Sequence, residues 1–261
     1  MLKFDAPQLL RALDVAAYPA RLTDEARMPQ LATVPLEATD QGLIAYSTDR
    51  YQLVRTLAEY LDPAPTHGQG LPPVRLHRDG LKILLPALRA AKHGQVELKA
   101  DAETVTFTIY GRQGDRQTVP LANVADSGEF PKIASLFRLH ISGGKDTPSE
   151  GAFTVAPRYI KALTTTLGRY TREGETLTFS PDRQSPARPV AWIYGRWAHG
   201  LLMPINTGTV STLEAEHDRV SRLFRAQPLM AAPEAAMERE DSALERATRP
   251  GTRGAQAPAT V

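Results

Sequence analysis

Apolar positions along the first 206 residues follow two periods in turn, a helical one and then an alternating one. Helical spacing appears at Ala6–Leu13 (APQLLRAL) and again at Ala156–Leu163 (APRYIKAL). Both segments begin Ala-Pro, place a basic residue in register (Arg11, Lys161), close with Ala-Leu, and follow a short apolar entry. Proline suits a first helical turn, where its missing N–H has no partner to lose. A weaker relative, VRLHRDGLKILLPALRAAKHG, starts at Val74, with Asp79 near its start and Gly94 near its stop. Pro86 inside it predicts a kink.

Alternating segments follow each helix. They lie at Leu36–Ala38, Gly42–Ser47 and Gln52–Thr56, then at Val96–Ala100 and Thr104–Tyr110, then at Thr176–Ser180, Val190–Tyr194 and Gly200–Ile205. In Thr104–Tyr110 the residues Val105, Phe107 and Ile109 alternate with threonines, as in a strand with one buried face. The chain thus reads as a strand–helix–strands unit repeated at about 1–61, 72–126 and 150–206, with Gly/Pro/Asp-rich joints between copies. An α+β fold with helices on one face of antiparallel sheets is expected. From Thr207 the alternation stops and Ala, Glu, Arg and Pro dominate. Leu213, His217, Val220 and Phe224 form one narrow stripe there, predicting a single helix before a tail with little fixed structure.

Composition narrows the picture. Hydrophobic residues at 42% and charged residues at 23% fit a globular chain. The absence of cysteine excludes a disulfide scaffold, a cysteine nucleophile and thiolate metal ligation. No apolar run has signal-peptide length at the N-terminus or the roughly 20 residues of a membrane span, so a cytoplasmic protein is expected. Net charge is only +2, yet its distribution is uneven. Arg75, Arg78, Lys82, Arg89 and Lys92 face Asp79 alone in Arg75–His93; Arg158, Lys161, Arg169 and Arg172 face no acid in Ala156–Arg172. The first helix is mixed, with Arg11 and Arg21 against Asp14. Basic helices suit a phosphate backbone, and equally a solvated face balanced by acids on neighbouring strands. Aromatic residues are not interleaved with these cations, which favours duplex over single strands.

Catalytic signatures are missing. The six histidines are scattered without metal-ligand spacing or HExxH, and SGGKDT at Ser142–Thr147 lacks the first glycine and the Lys-Ser/Thr of a phosphate loop. No GxSxG elbow or paired-carboxylate motif stands out. No enzyme activity, metal or cofactor is expected.

Three stretches together resemble the beta sliding clamp family of bacterial DNA polymerase III. YSTDRYQLVR at Tyr46–Arg55 is similar to that family's Thr-Asp-Gly-His-Arg-Leu signature, with Arg50, Tyr51 and Gln52 in place of glycine, histidine and arginine. GEFPKIASLF at Gly128–Phe137 resembles the Phe-Pro segment between clamp domains, with Arg138 where a proline is usual. GLLMPI at Gly200–Ile205 resembles the Met-Pro-Met ending of the last domain. The resemblance implies a DNA-clamp fold: residues 1–137 a complete middle-type domain, 138–206 the second half of a last domain, and 207–261 a tail.

The resemblance also implies function. Inner helices would face duplex DNA through Arg11, Arg78, Lys82, Arg89, Lys92, Arg158, Lys161 and Arg169. A groove would accept Leu-Phe type peptides of a DNA polymerase and clamp loader, lined by Thr48, Tyr51, Leu53, Leu201, Leu202, Met203, Pro204 and Ile205. A family ring is lined by twelve helices, so four copies of a three-unit chain would supply that number, and a homo-oligomer is expected. A chain that keeps the groove without closing a ring, as a decoy or adaptor, is the alternative. The tail segment DRVSRLF at Asp218–Phe224 itself ends in Leu-Phe, which suggests self-occupancy of the groove.

Overall fold

Each predicted helix is followed by an antiparallel run of strands. In the first unit, β1 (Leu2–Asp5) leads into α1 (Ala6–Leu22), then β2 (Thr33–Ala38), β3 (Gly42–Thr48) and β4 (Gln52–Glu59). In the second, β5 (Val74–His77) leads into α2 (Arg78–Ala91), then β6 (Gln95–Ala100), β7 (Thr104–Tyr110) and β8 (Arg116–Ala122). The third contains α3 (Pro157–Leu167), a 3-10 turn at Gly168–Tyr170, β9 (Leu177–Ser180), β10 (Val190–Tyr194) and β11 (Ala198–Leu202). This computed structural model describes residues 1–62, 71–112, 114–133, 155–180 and 189–204. The tail stripe, DRVSRLF and Ile205 lie outside the described residues.

Two local readings change. Val74–His77 is a strand, so α2 begins at Arg78 and runs through Pro86 to Ala91. β8 carries no sequence signal strong enough to predict it. Only Val119 and Leu121 are buried, with Pro120 between them, as suits a sheet edge where no ladder donor is needed.

The first two units exchange their entry strands. β1 pairs with β6 (Leu2↔Leu98, Phe4↔Val96) in a four-stranded sheet ordered β1-β6-β7-β8. β5 pairs with β2 (Val34↔Leu76) at the edge of a seven-stranded sheet ordered β5-β2-β3-β4-β11-β10-β9. The Ala6 N–H also donates to the Gly94 carbonyl at 2.9 Å. Each helix packs on strands of its own unit, and α1 and α2 pack against one another. The shared core holds Phe4, Leu9, Leu13, Leu81, Leu84, Leu88, Leu98 and Phe107, all essentially inaccessible. At roughly 1.5–3 kcal/mol per fully buried large apolar side chain, this cluster is the main stabilising mass.

α1 is the central helix. Every residue from Ala12 to Ala20 is buried, and Ala12, Ala16, Ala17 and Ala20 keep its surface small enough for close neighbours on several sides. α2 packs on it through the first core, and α3 through a second core of Val15, Tyr18, Val54, Tyr159, Leu163 and Trp192. α2 and α3 are amphipathic: Leu81, Leu84, Leu85 and Leu88 of α2 and Tyr159, Leu163, Thr166 and Leu167 of α3 face inward. Among the described residues, no helix is long and apolar enough to cross a membrane.

Candidate peptide groove and nucleic-acid face

The segment Thr48–Gln52 folds as a tight turn built by its own side chains. The Asp49 carboxylate accepts from the backbone N–H of Tyr51 and Gln52 at 2.9 and 2.8 Å, and from the Gln52 amide at 2.9 Å. The Thr48 hydroxyl donates to the Gln52 carbonyl at 2.7 Å. Arg50 adopts φ 81°, the left-handed region where glycine is at ease and a Cβ is costly. Tyr18 on α1 donates to Gln52 Oε1 at 2.8 Å, which ties the turn to the helix layer. Burial and the Asp49 charge push the Tyr18 hydroxyl well above its ordinary range.

From this turn β4 runs beside β11, with Leu53 opposite Leu201 and Gln52 opposite Leu202. The Met203 N–H extends the ladder to the Tyr51 carbonyl at 2.8 Å. Gly200 makes the close pairing possible, because a Cβ there would lie 2.1 Å from the Leu53 carbonyl oxygen and 2.6 Å from the Trp192 ring.

Strand alternation divides the predicted groove residues between two faces. Gln52, Val54 and Thr56 turn toward α1, where the Thr56 hydroxyl donates to the Ala12 carbonyl at 2.9 Å. Leu53 and Leu201 therefore share the outer face, where they cluster with Ala191, Ile133, Tyr46 and Phe130. Leu202 points the other way, fully buried with Trp192 in the second core. It is a core residue, which corrects its placement among the groove residues. Tyr51 also leans to the helix side and stacks on Tyr159 at 5.9 Å between ring centres. Thr48 is buried in the turn, Met203 is 39% exposed, and Pro204 is partly buried.

The chain after β8 supplies Phe130 and Ile133 to this outer-face cluster. Phe130 packs edge-on to Tyr46 at 5.7 Å. Arg75 holds it there, with its guanidinium 5.5 Å from the Phe130 ring centre and a 2.7 Å hydrogen bond donated to the Gly128 carbonyl. Tyr46, Phe130, Ile133 and Ala191 are absent from the groove residues expected from the sequence. Phe130 and Ile133 stand three residues apart in an otherwise polar joint, which is the one sequence signal that could have found them. Next along the same face, Arg55 and His199 stand opposite one another, as do Arg55 and Tyr46. Burial, and secondarily the Arg55 charge, pulls the His199 imidazole down to about 4, so it is neutral at pH 7.

The opposite, helix side carries the predicted cations, and their environments differ. Arg11 is half-buried, its guanidinium 4.7 Å from the Trp197 ring centre and its Nε without a partner. Its role is packing against the third unit, which corrects its assignment to an open DNA-facing surface. Arg78 is held by Glu25 at 2.6 Å and donates to the Thr23 carbonyl at 2.9 Å. Arg169 pairs with Asp14 at 3.1 Å, Lys82 with Asp79 at 2.6 Å, and Arg158 stacks on its neighbour Tyr159. Lys82, Arg89 and Lys92 on or beside α2, and Arg158, Lys161 and Arg169 on or just after α3, are exposed. A cleft of about 380 Å³ opens between α1 and α3, lined by Tyr18, Arg21, Leu22, Arg158, Lys161 and Thr165.

Asp14 joins α1 to the third unit. It is 1% exposed and is contacted by Arg21, by Arg169 at 3.1 Å and by the Tyr170 hydroxyl at 2.7 Å. Burial alone would raise its carboxyl, but the hydrogen bonds from Arg21 and Tyr170 and the charges of Arg21 and Arg169 hold it below the ordinary range. Glu25, His77 and Asp79 come together elsewhere with donor atoms within 4.8 Å of one another. Arg78 and Lys82 already neutralise the two carboxylates, so the trio is an ion-pair cluster by its chemistry.

No protein-family model and no curated protein matches the sequence. Solved structures do match. The DNA polymerase sliding clamp from Bacillus subtilis aligns with TM-score 0.55 at 15% identity, over 79% of this chain and 64% of that one. The DNA polymerase III beta subunit from Thermotoga maritima aligns with TM-score 0.54 at 10% identity, over 82% and 66%. The sliding clamp from Pseudomonas aeruginosa aligns with TM-score 0.53 at 12% identity, over 82% and 66%. The match thus spans just under two thirds of each of these clamps. With its repeated strand–helix–strands units, its helices on one side of antiparallel sheets and its continuous β4–β11 seam, this chain has the fold of the DNA polymerase III beta sliding clamps.

Proposed function

We propose that this protein is a non-catalytic DNA sliding clamp, a processivity factor whose helix side tracks or encircles duplex DNA while its outer face binds partner peptides. The observation that carries the reading is the division of the two faces. The β4–β11 seam puts an apolar cluster of Leu53, Leu201, Phe130 and Ile133 on one side, and α2 and α3 present Lys82, Arg89, Lys92, Arg158 and Lys161 on the other. Leucine, aromatic and methionine side chains suit an adaptable pocket for a polymerase or clamp-loader peptide ending in Leu-Phe. Phosphate contacts from long lysine and arginine side chains give affinity without sequence preference, as sliding requires. On this reading residues 1–137 form a complete clamp domain and 138–206 part of a second, a homo-oligomer completes the ring, and the protein works in the cytoplasm.

A second reading is favoured by one observation. Arg11 and Arg21, the cations of α1, are tied into the fold by Trp197 and Asp14, which leaves α1 without an open basic face. A clamp-like adaptor that binds the peptide and closes no ring fits that feature. Replacing Lys82, Arg89, Lys92 and Lys161 with alanine separates the two. The clamp reading expects weaker duplex binding and a salt slope flatter by up to about four, one for each phosphate that is no longer neutralised. The adaptor reading expects peptide binding that is indifferent to DNA and to these changes.

A further inference from the structure

The third unit lacks what closes the first two. In those units the residues directly before the helix form a strand, which pairs with the first strand after the other unit's helix: β1 with β6, and β5 with β2. Before α3, Val155 and Ala156 belong to no strand. β9, the first strand after α3, pairs with β10 on one side and ends the sheet among the described residues. Side-chain burial differs in the same way. Val34 and Leu36 of β2, and Val96 and Leu98 of β6, are buried in the shared core. Leu177 and Phe179 of β9 are only partly buried, although Phe179 also has a partner within the chain. Matching APRYIKAL to APQLLRAL sets Ala156 against Ala6 and Ile160 against Leu10. Ala6 and Leu10 are buried in the core shared with the second unit, whereas Ala156 and Ile160 stay partly open.

We propose that a second copy of this chain covers this side of the third unit. The two third units meet about a two-fold axis and stand to one another as the first and second units do. The stretch leading into α3 of each copy pairs on the outer edge of β9 in the other, and the two α3 helices pack together as α1 packs on α2. A sheet edge with half-covered apolar side chains is otherwise a template for indiscriminate pairing, and reciprocal pairing removes it. Each copy offers the same surface, so the contact is self-complementary and closes with two copies. Val155, Ala156, Ile160, Leu177 and Phe179 carry no charge, and the nearby cations Arg158 and Lys161 are exposed, so they stay in water when the contact closes. This goes beyond the homo-oligomer of the clamp reading by naming the surface and its symmetry. It rests on the strand exchange and the part-buried residues, and DNA enters neither.

The test uses the full chain without DNA. Sedimentation equilibrium gives its mass across a dilution series, and hydrogen exchange reads the amides of β9 at the two ends of that series. The proposal expects an even-numbered assembly, with slower exchange at Leu177–Ser180 in the assembled protein than in the diluted one. Ile160→Glu places a carboxylate in the contact twice, once from each copy, so it should raise the dissociation constant of the pair by about a hundredfold or more. Ile83→Glu, at an exposed position on α2 outside the contact, should leave the mass unchanged. Circular dichroism confirms that each variant folds; if Ile160→Glu does not, the exchange of β9 in the wild type decides alone. A monomer at every concentration, an odd-numbered assembly, or β9 amides whose exchange ignores dilution overturns the proposal. So does a folded Ile160→Glu chain that assembles like the wild type. Each of these results bears on the contact between copies and not on duplex binding, which the salt slope of the alanine variants measures separately.

Discussion

The molecule has two seams of opposite construction. Where the first and second units meet, entry strands are exchanged and the contact is a continuous apolar core from Phe4 to Leu98. Where the first and third units meet, one strand pair (β4 with β11) and a buried ionic knot at Asp14 supplement a smaller aromatic core. The interleaved seam makes the first two units one folding body, since neither sheet is complete without a strand from the other. The ionic seam is directional instead. Its register fixes which side chains face out, and so it creates the outer-face apolar cluster. A buried ion pair adds less net stability than packed hydrocarbon but penalises misplacement heavily.

The sharpest way to break the second seam alone is Gly200→Val. A Cβ at 2.1 Å from the Leu53 carbonyl cannot be relieved by a rotamer change, so the strands must part. A loss of about 3 kcal/mol or more is expected in urea unfolding, with the outer-face cluster lost in any folded remainder. Gly80, in the second unit, has only the Leu121 side chain at 3.4 Å and beyond, so Gly80→Ala should cost little.

Asp14→Ala should remove about 2 kcal/mol, less than a fully buried pair because Arg21 and Arg169 can turn toward water. Double cycles with Arg169→Ala should show coupling, and cycles with Leu88→Ala in the first core should add.

Acid should weaken the same seam. In the unfolded chain His199 takes up a proton near its ordinary value of 6.5, but in the fold only near 4, so stability falls as pH drops through that window. Asp14 acts in the same direction lower down, since its depressed carboxyl contributes stability that is lost as pH falls through its folded value. His199 alone should account for about 2 kcal/mol between pH 7 and pH 5. His199→Gln should flatten that part of the profile in denaturant melts at the two pH values.

The smallest effect concerns the turn that starts β4. Arg50 holds φ 81°, so Arg50→Gly should stabilise the chain by about 1 kcal/mol, measured as a shift in urea midpoint at constant m-value. Arg50→Ala leaves the Cβ in place and should give no such gain.

The two seams also differ in how far they can be read from sequence. The helices over APQLLRAL and APRYIKAL, and the alternating strands from Gly42 to Tyr110, follow from local periodicity, which survives tertiary context when one face is buried. The exchange of β1 and β5 is not legible, because strand partnership is decided by long-range packing that no local pattern encodes. β8 escapes because an edge strand with two buried residues barely alternates. Leu53 and Leu201 are found from the resembling motifs, whereas Leu202 comes with them although strand alternation sends its neighbour outward and its own side chain inward. Phe130 and Ile133 read as part of a joint, since nothing local says that a linker folds back as a wall. Charge counting finds basic helices but cannot see that Arg11 lies against Trp197 or that Arg169 answers Asp14.

The central claim, that the helix side surrounds or tracks duplex DNA while the sheet side takes peptides, meets its most direct test in retention on DNA. The protein is assembled on nicked circular duplex, washed at high salt, and assayed before and after a single restriction cut. A clamp predicts retention on the circle at salt that abolishes binding to linear DNA, and release on cutting, because the link is topological and not electrostatic. Equal, salt-labile binding to circle and line, or no binding to either while the groove still takes a Leu-Phe peptide, would contradict it.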